Sequence, residues 1–211
     1  MVVSNVEVYG LENSIKRAKY PKSVNIDELN SELTKGIKAL GNSKKGEGHD
    51  NFLNGIIVQF DLTFTVKAWT EEERYHFIDF ISSQSTMHRI TKFDLDKAYI
   101  EYVDPRIIEI MKEKVDEYNR IDFEWKNGLT PQSVEIQQAH IAEMERRYLE
   151  ILYSNPCGFK LTAGMTTNYR QLKTIYSQRT NHKLPEWREF CAWIETLPMF
   201  KELCLDGGNN E

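Results

Sequence analysis

The 211-residue sequence has few cysteines, no long apolar run and no surplus of positive charge. Its three cysteines are odd in number and lack metal-site spacing, so they indicate reduced thiols in a cytoplasmic protein. No stretch has the length and apolarity of a membrane span, and the N-terminus has no signal-peptide pattern. The net charge of −5 disfavours non-specific nucleic-acid binding, whose affinity comes mainly from neutralised phosphates.

Hydrophobic residues make up 40% of the chain, enough for the core of one globular domain. We expect that domain to cover residues 1–205 and a flexible, glycine-containing tail to cover residues 206–211. Alternation predicts strands at residues 2–9 and 58–67 and an extended segment at 159–165. Helical spacing predicts helices at residues 12–19, 25–40, 71–81, 107–118, 133–153 and 185–197.

A stretch near the C-terminus, residues 166–179, combines helix-capping residues with two arginines. Asn168 is a good N-cap residue, and the apolar residues that follow it recur at helical spacing. Arg170 lies in the first turn, where a helix already favours anions through its free N–H groups and its dipole. The stretch therefore predicts a phosphate or carboxylate site. The alternative is a surface helix whose arginines pair with Glu186 or Glu189.

Three segments of the chain carry a resemblance to a known family. They are, in chain order, Gly48-His49-Asp50-Asn51-Phe52-Leu53, Gln84-Ser85-Thr86-Met87-His88-Arg89, and Thr167-Asn168-Tyr169-Arg170 with Arg179 and Pro185-Glu186-Trp187-Arg188-Glu189. In order and rough spacing, over about residues 8–190, they resemble motifs of the flavin-dependent thymidylate synthases. The corresponding family motifs are Gly-His-Glu-Ser-x-Leu, Gln-x-x-Arg-His-Arg, and Asn-x-Arg with a later arginine.

The resemblance implies an α+β fold with a mixed β-sheet and several long helices. It implies a methyltransferase-type activity, in which a one-carbon unit and a hydride pass to a pyrimidine deoxynucleotide, dUMP. FAD is then the cofactor, and NADPH and a folate are the further reactants. The family's sites are built at subunit junctions of a homotetramer, so a homo-oligomer is implied here too.

Site residues follow from positions in these motifs. Arg179 is implied to contact the nucleotide phosphate and to take the catalytic role, and Gln84 to face the same nucleotide. The residues implied to contact the flavin are His49, Asn51, His88, Arg89, Asn168 and Arg170. Other interpretations stay open, because Asn168 is also a helix cap and His49 is also suited to a structural hydrogen bond. We expect the C-terminal helix and residues 84–89 to hold one planar anionic ligand together.

The sequence departs from the family pattern in the second motif. The first arginine of the Arg-His-Arg triplet is Met87, and the later Ser, Asn and Glu positions read Lys92, Asp94 and Leu95. Losing one positioned donor of this kind costs about two to three orders of magnitude in rate. Three functions therefore stay open: a flavin-dependent enzyme, a non-catalytic nucleotide-binding or self-assembling relative, and an α+β protein without a small-molecule site. An incomplete motif set is compatible with a phage-borne version.

Overall fold

Alternating apolar residues build a four-stranded antiparallel sheet. Its strands are, in chain order, β1 (Val2–Tyr9), β2 (Ile57–Thr65), β3 (Ile78–Ser83) and β4 (Lys160–Asn168). They pair in the order β1-β2-β4-β3. Every second side chain of β2 is buried, as the period of a half-buried strand requires. The expected α+β class is confirmed, and the sheet is antiparallel rather than mixed.

The computed structural model describes residues 1–44, 46–129 and 133–206. These residues fall into two compact units. Unit 1 comprises Met1–Phe64, Ala68–Ser83 and the chain from Thr162 onward; unit 2 comprises Thr65–Lys67 and Gln84–Leu161. The expectation that residues 1–205 form one domain stays a prediction.

Unit 1 packs its helices around an aromatic core. The helices are α1 (Leu11–Arg17), α2 (Lys35–Gly41), α3 (Val66–Glu72, which begins in unit 2), α7 (Tyr169–Arg179), α8 (Pro185–Ile194) and α9 (Phe200–Cys204). The buried residues of α8 recur at helical spacing, and its Trp187 and Phe190 rings lie 5.0 and 5.8 Å from the Phe64 ring of β2. This contact between helix and sheet fixes the C-terminal part of the unit, which carries α7.

Unit 2 contains a pair of long helices. The short helix α4 (Thr86–Arg89) precedes them, and the pair is α5 (Pro105–Lys126) and α6 (Val134–Ser154). Met111 and Val115 of α5 and Ile151 of α6 are buried in one apolar cluster with Phe159. Asp104 and Ser133 cap the two helices by accepting from main-chain N–H groups. Both helices are therefore where the sequence pattern predicts them, with α5 extending beyond residue 118.

The helix predicted over residues 25–40 is wrong in its first ten residues. The helix begins only at Lys35, after Thr34 accepts a hydrogen bond from the Ile37 N–H. Before it, Asn25 and Asn30 accept from the main chain two residues further on, at Asp27 and Glu32. Such short-range side-chain bonds offer the backbone an alternative to a helix.

The helix predicted over residues 71–81 is also wrong. Helix α3 begins at Val66 and ends at Glu72, and strand β3 follows from Ile78. The apolar residues of this stretch fit the spacing of a helix as well as that of a strand. The stretch forms a strand because Ile78 pairs with Thr167 and Phe80 pairs with Met165 of β4. The strand predicted to reach residue 67 correspondingly ends at Thr65.

The flexible tail predicted for residues 206–211 lies, after Asp206, outside the described residues. The helix predicted over residues 185–197 ends at Ile194, and α9 follows Pro198 as a separate element. No helix in the described part of the chain has the length and apolarity needed to cross a membrane.

Candidate functional site

The start of α7 is capped as its sequence predicts. Asn168 ends β4 in an extended conformation, and its side-chain oxygen accepts from the Gln171 N–H at 2.9 Å. Leu172 and Ile175 are fully buried and hold the other side of the helix in the core. The sheet and core thus fix the N-terminal end of α7, where free N–H groups and the helix dipole favour negative charge.

A cavity of about 540 Å³ opens at this end of α7, within unit 1. Helix α7 contributes one polar face, formed at the spacing i, i+3, i+4 and i+7 by Arg170, Lys173, Thr174 and Ser177. The lining residues are Gly46, Asp50, Asn54, Phe77, Asn168, Arg170, Gln171, Lys173, Thr174 and Ser177. Two residues implied to bind flavin, Asn168 and Arg170, therefore share one cavity.

Asp50 holds the two cations of this cavity. Its carboxylate lies 3.0 Å from Nε of Arg170 and 3.2 Å from Nζ of Lys173, and the residue is only 5% exposed. The Lys173 ammonium also donates to the carbonyls of Gly41 at 2.8 Å and Ser43 at 2.9 Å. Among the lining residues that the structure describes, one carboxylate against two cations leaves one net positive charge.

The terminal nitrogens of Arg170 have no protein acceptor among the described residues. The side chain is 36% exposed, so these nitrogens are accessible. The contact with Asp50 is an ion pair, and the guanidinium donates no hydrogen bond within the described part of the chain, so its N–H donors are left for a ligand. Because such a group recognises phosphate and carboxylate in a bidentate manner, the arrangement is suited to an anionic ligand.

His49 and Asn51 lie on either side of Asp50 and are both exposed. Asn51 begins the 3-10 turn Asn51–Gly55, whose Leu53 is completely buried. The turn thus directs Asp50 inward while its neighbours stay at the surface beside the cavity. Asp50 carried no predicted role, because its partner Arg170 lies 120 residues away and local sequence gives no sign of the pairing.

Arg179, at the other end of α7, belongs to a different cluster of unit 1. Its Nη1 lies 2.9 Å from Oε2 of Glu71 and 2.6 Å from Nε2 of His182, and its Nε donates to the Tyr75 hydroxyl at 2.7 Å. The guanidinium carbon lies 4.8 Å from the Trp187 ring centroid. The predicted phosphate contact of Arg179 stays a prediction, and a phosphate there has to compete with Glu71.

A buried carboxyl group lies next to this cluster in sequence. Glu72 is 1% exposed, and its Oε1 has no hydrogen-bond partner in the described part of the chain. Burial, and then the charges of Glu73 and Asp79, raise the pKa of Glu72 from 4.5 to about 7. Glu72 is not a lining residue of the α7 cavity, so its titration is a matter of stability.

In unit 2, Gln84 and Arg89 line a shallow cavity of about 380 Å³ together with Lys92. His88 is exposed on α4 beside Arg89. Met87, which replaces the first arginine of the family triplet, is 60% exposed, and its carbonyl accepts from the Tyr148 hydroxyl at 3.0 Å. Gln84 and Arg89 are thus brought together, while their expected cooperation with α7 stays a prediction.

No protein-family model matches the chain, and no curated protein matches it. Among solved structures, it is similar to the flavin-dependent thymidylate synthase ThyX from Helicobacter pylori complexed with FAD and dUMP. The identity is 14% and the TM-score 0.65, over 98% of this chain and 99% of that chain. A second structure, thymidylate synthase X from Helicobacter pylori with FAD and dUMP, gives 13% identity and a TM-score of 0.66 over 100% of both chains. The expected flavin-dependent thymidylate synthase-like fold is therefore confirmed.

Proposed function

We propose that this chain is a divergent flavin-dependent thymidylate synthase-like protein. It binds FAD in the α7 cavity and takes a pyrimidine deoxynucleotide as its second ligand. The observation that carries the proposal is the Arg170 guanidinium, which forms an ion pair with Asp50 and has no further protein partner among the described residues. The confirmed fold supports the choice of ligands, because both Helicobacter pylori ThyX structures contain FAD and dUMP.

The residues of the α7 cavity fit the phosphate portion of a dinucleotide. Arg170 offers paired donors, the Asn168 side-chain amide lies beside it, and the helix N-terminus adds its dipole. The volume of about 540 Å³ lies within the usual range of small-molecule sites. His49 and Asn51, on either side of Asp50, are proposed to contact the flavin from the opposite wall.

The nucleotide is proposed to contact the second set of residues. Gln84 offers an amide suited to the polar edge of a pyrimidine, and Arg89 and Lys92 supply positive charge in the same small cavity. His88 and Arg89 are also proposed to approach the flavin, as the family motif implies. The same resemblance supports four further parts of the proposal. NADPH and a folate are the further reactants, the protein is cytoplasmic, and it assembles into a homotetramer.

When bound, the flavin supplies the hydride, and the protein supplies binding, orientation and electrostatics. Arg170 and Asn168 hold the cofactor in place. Positive charge from Arg89 and Lys92 stabilises the nucleotide phosphate and negative charge that develops on the pyrimidine ring. Arg179 is proposed to join them only if a ligand phosphate replaces Glu71 as its partner.

A second candidate function is a nucleotide-binding relative without catalysis. Met87 removes one positioned positive charge from the triplet, and Arg179 already pairs with Glu71. Both features reduce the positive charge available for the transition state while leaving the α7 cavity intact. A binding protein of this kind takes up FAD or dUMP but forms no thymidylate.

The test is FAD titration of the purified protein, followed by assay for thymidylate formation from dUMP with NADPH and methylene-folate. We expect a bound-flavin absorption band, and we expect Arg170→Met to weaken FAD binding at least about tenfold. Arg17→Met, which removes an exposed arginine from α1 of the same unit, is the matched control and leaves binding unchanged. A wild-type protein that is colourless after incubation with excess FAD and removal of the unbound FAD excludes flavin binding. Flavin binding without product favours the second candidate.

A further inference from the structure

Three charged side chains line the α7 cavity, and the only acid among the described lining residues is Asp50. Each of its carboxylate oxygens contacts a different cation, Oδ1 at Arg170 and Oδ2 at Lys173. A carboxylate that is almost fully buried needs such partners to remain charged. Asp50 is therefore built into the wall of the cavity as an internal counter-ion.

Lys173 and Arg170 differ in the number of N–H donors that they have left for a ligand. Lys173 has three N–H donors and contacts three acceptors, which are Asp50 and the carbonyls of Gly41 and Ser43. All three N–H donors of its ammonium thus have acceptors within the protein. Arg170 forms an ion pair with Asp50, with Nε 3.0 Å from Oδ1, and donates no hydrogen bond within the described part of the chain, so its donors are left for a ligand.

We propose that Asp50 is a positioning residue that holds Arg170 for the pyrophosphate of the ligand. The ion pair with Asp50 holds the Arg170 guanidinium at the wall of the cavity, where its N–H donors are left for bidentate contact with phosphate. Lys173 neutralises Asp50, so the positive charge of Arg170 is not cancelled. The identity of the ligand as FAD rests on the proposed function, whereas the positioning role applies to any phosphate at this site.

Two explanations of anion binding at this cavity, by net charge alone and by positioning of Arg170, predict opposite effects of Asp50→Asn on affinity. The substitution raises the net charge of the described lining residues from one to two, so a site that works by charge alone binds an anion more tightly. If Asp50 positions Arg170, the same substitution loosens the guanidinium and weakens binding. The sign of the change therefore separates the two explanations.

The experiment compares wild type, Asp50→Asn, Arg170→Met and the double variant by calorimetric titration with inorganic pyrophosphate and with FAD. We expect Asp50→Asn to weaken pyrophosphate binding about tenfold in the wild-type background and less than twofold in the Arg170→Met background. Asp61→Asn is the matched control, because it removes a carboxylate that pairs with Asn5 on the sheet of the same unit. Thermal unfolding of each variant confirms that it is folded.

Tighter binding by Asp50→Asn, or an equal loss in both backgrounds, overturns the positioning role. The absence of pyrophosphate binding by the wild-type protein overturns it as well. Pyrophosphate binding without FAD binding contradicts the proposed function but leaves the positioning role standing on the double-variant comparison. If Asp50→Asn does not fold, Asp50→Glu replaces it. The longer side chain displaces Arg170 at constant charge, and a loss of less than twofold then contradicts the inference.

Discussion

Nη1 of Arg179 donates to Oε2 of Glu71 across 2.9 Å, and the two side chains are only 11% and 19% exposed. The Trp187 ring lies on the same guanidinium at 4.8 Å. This pair joins the end of α3 to the end of α7, two elements far apart in sequence. In this chain, Arg179 therefore contributes to the packing of unit 1, whether or not it also meets a ligand.

Arg179→Met is expected to lower the free energy of unfolding by about 2 kcal/mol, because it removes a charged hydrogen-bond partner of the partly buried Glu71 carboxylate. Urea unfolding followed by tryptophan fluorescence measures the change. Arg17→Met serves as the control and stays within about 0.5 kcal/mol of wild type. Unchanged stability together with lost dUMP binding contradicts this expectation and identifies Arg179 as a ligand residue.

Glu72 is expected to make the protein less stable as the pH rises from about 4.5 to about 7. Its folded-state pKa is raised to about 7 by burial, so in this window the folded state binds more protons than the unfolded state. The loss amounts to about 3 kcal/mol at about 1.4 kcal/mol per pKa unit and is complete above pH 7.

The measurement is chemical unfolding of wild type and Glu72→Gln at pH 5 and pH 8. The variant lacks the titrating group, so its stability falls by less over this interval. Glu7→Gln, an exposed position on β1, is the control and follows the wild-type dependence. Identical pH dependence of wild type and Glu72→Gln shows that the carboxyl is already ionised in the folded protein at pH 5.

Local signals were sufficient for part of this structure. The cap at Asn168 and the buried stripe of Leu172 and Ile175 lie within one short segment, so sequence spacing predicts α7 closely. The long helices α5 and α6 are predicted for the same reason. Strand β3 is not predictable in this way, because its apolar residues suit a helix as well, and only pairing with β4 selects the strand.

The candidate site shows the same division between local and distant information. Asn168 and Arg170 were predicted from the helix start itself. The ion pair between Asp50 and Arg170, and that between Glu71 and Arg179, each join residues more than 100 positions apart. Charge patterning along the sequence does not specify such pairs, since many acids are available to each arginine. The fold selects which acid each arginine meets.

One cysteine of three is expected to react rapidly with a thiol reagent in the native protein. Cys157 is exposed, whereas Cys191 and Cys204 are buried. Burial raises the pKa of the Cys191 thiol to about 11 and raises that of Cys204 as well, which keeps both in the unreactive thiol form. Titration with Ellman's reagent is expected to count one thiol before denaturation and three after. Cys157→Ser removes the rapid reaction, and rapid reaction that persists in this variant means that a buried thiol is accessible.

Asn168 combines two functions that a pair of substitutions can separate. Its oxygen caps α7 by accepting from the Gln171 N–H, and its amide nitrogen is a donor beside Arg170. Asn168→Asp keeps an oxygen for the cap but replaces the donor with negative charge. We expect wild-type stability, since Asp and Asn cap helices equally well, and FAD binding at least about tenfold weaker.

Asn168→Ala removes both functions, so it is expected to lose about 1 kcal/mol of stability as well as affinity for FAD. Thermal unfolding and FAD titration on the same preparations give the two quantities side by side. If Asn168→Asp binds FAD as tightly as the wild-type protein, no phosphate lies near this amide, and Asn168 acts only as a cap.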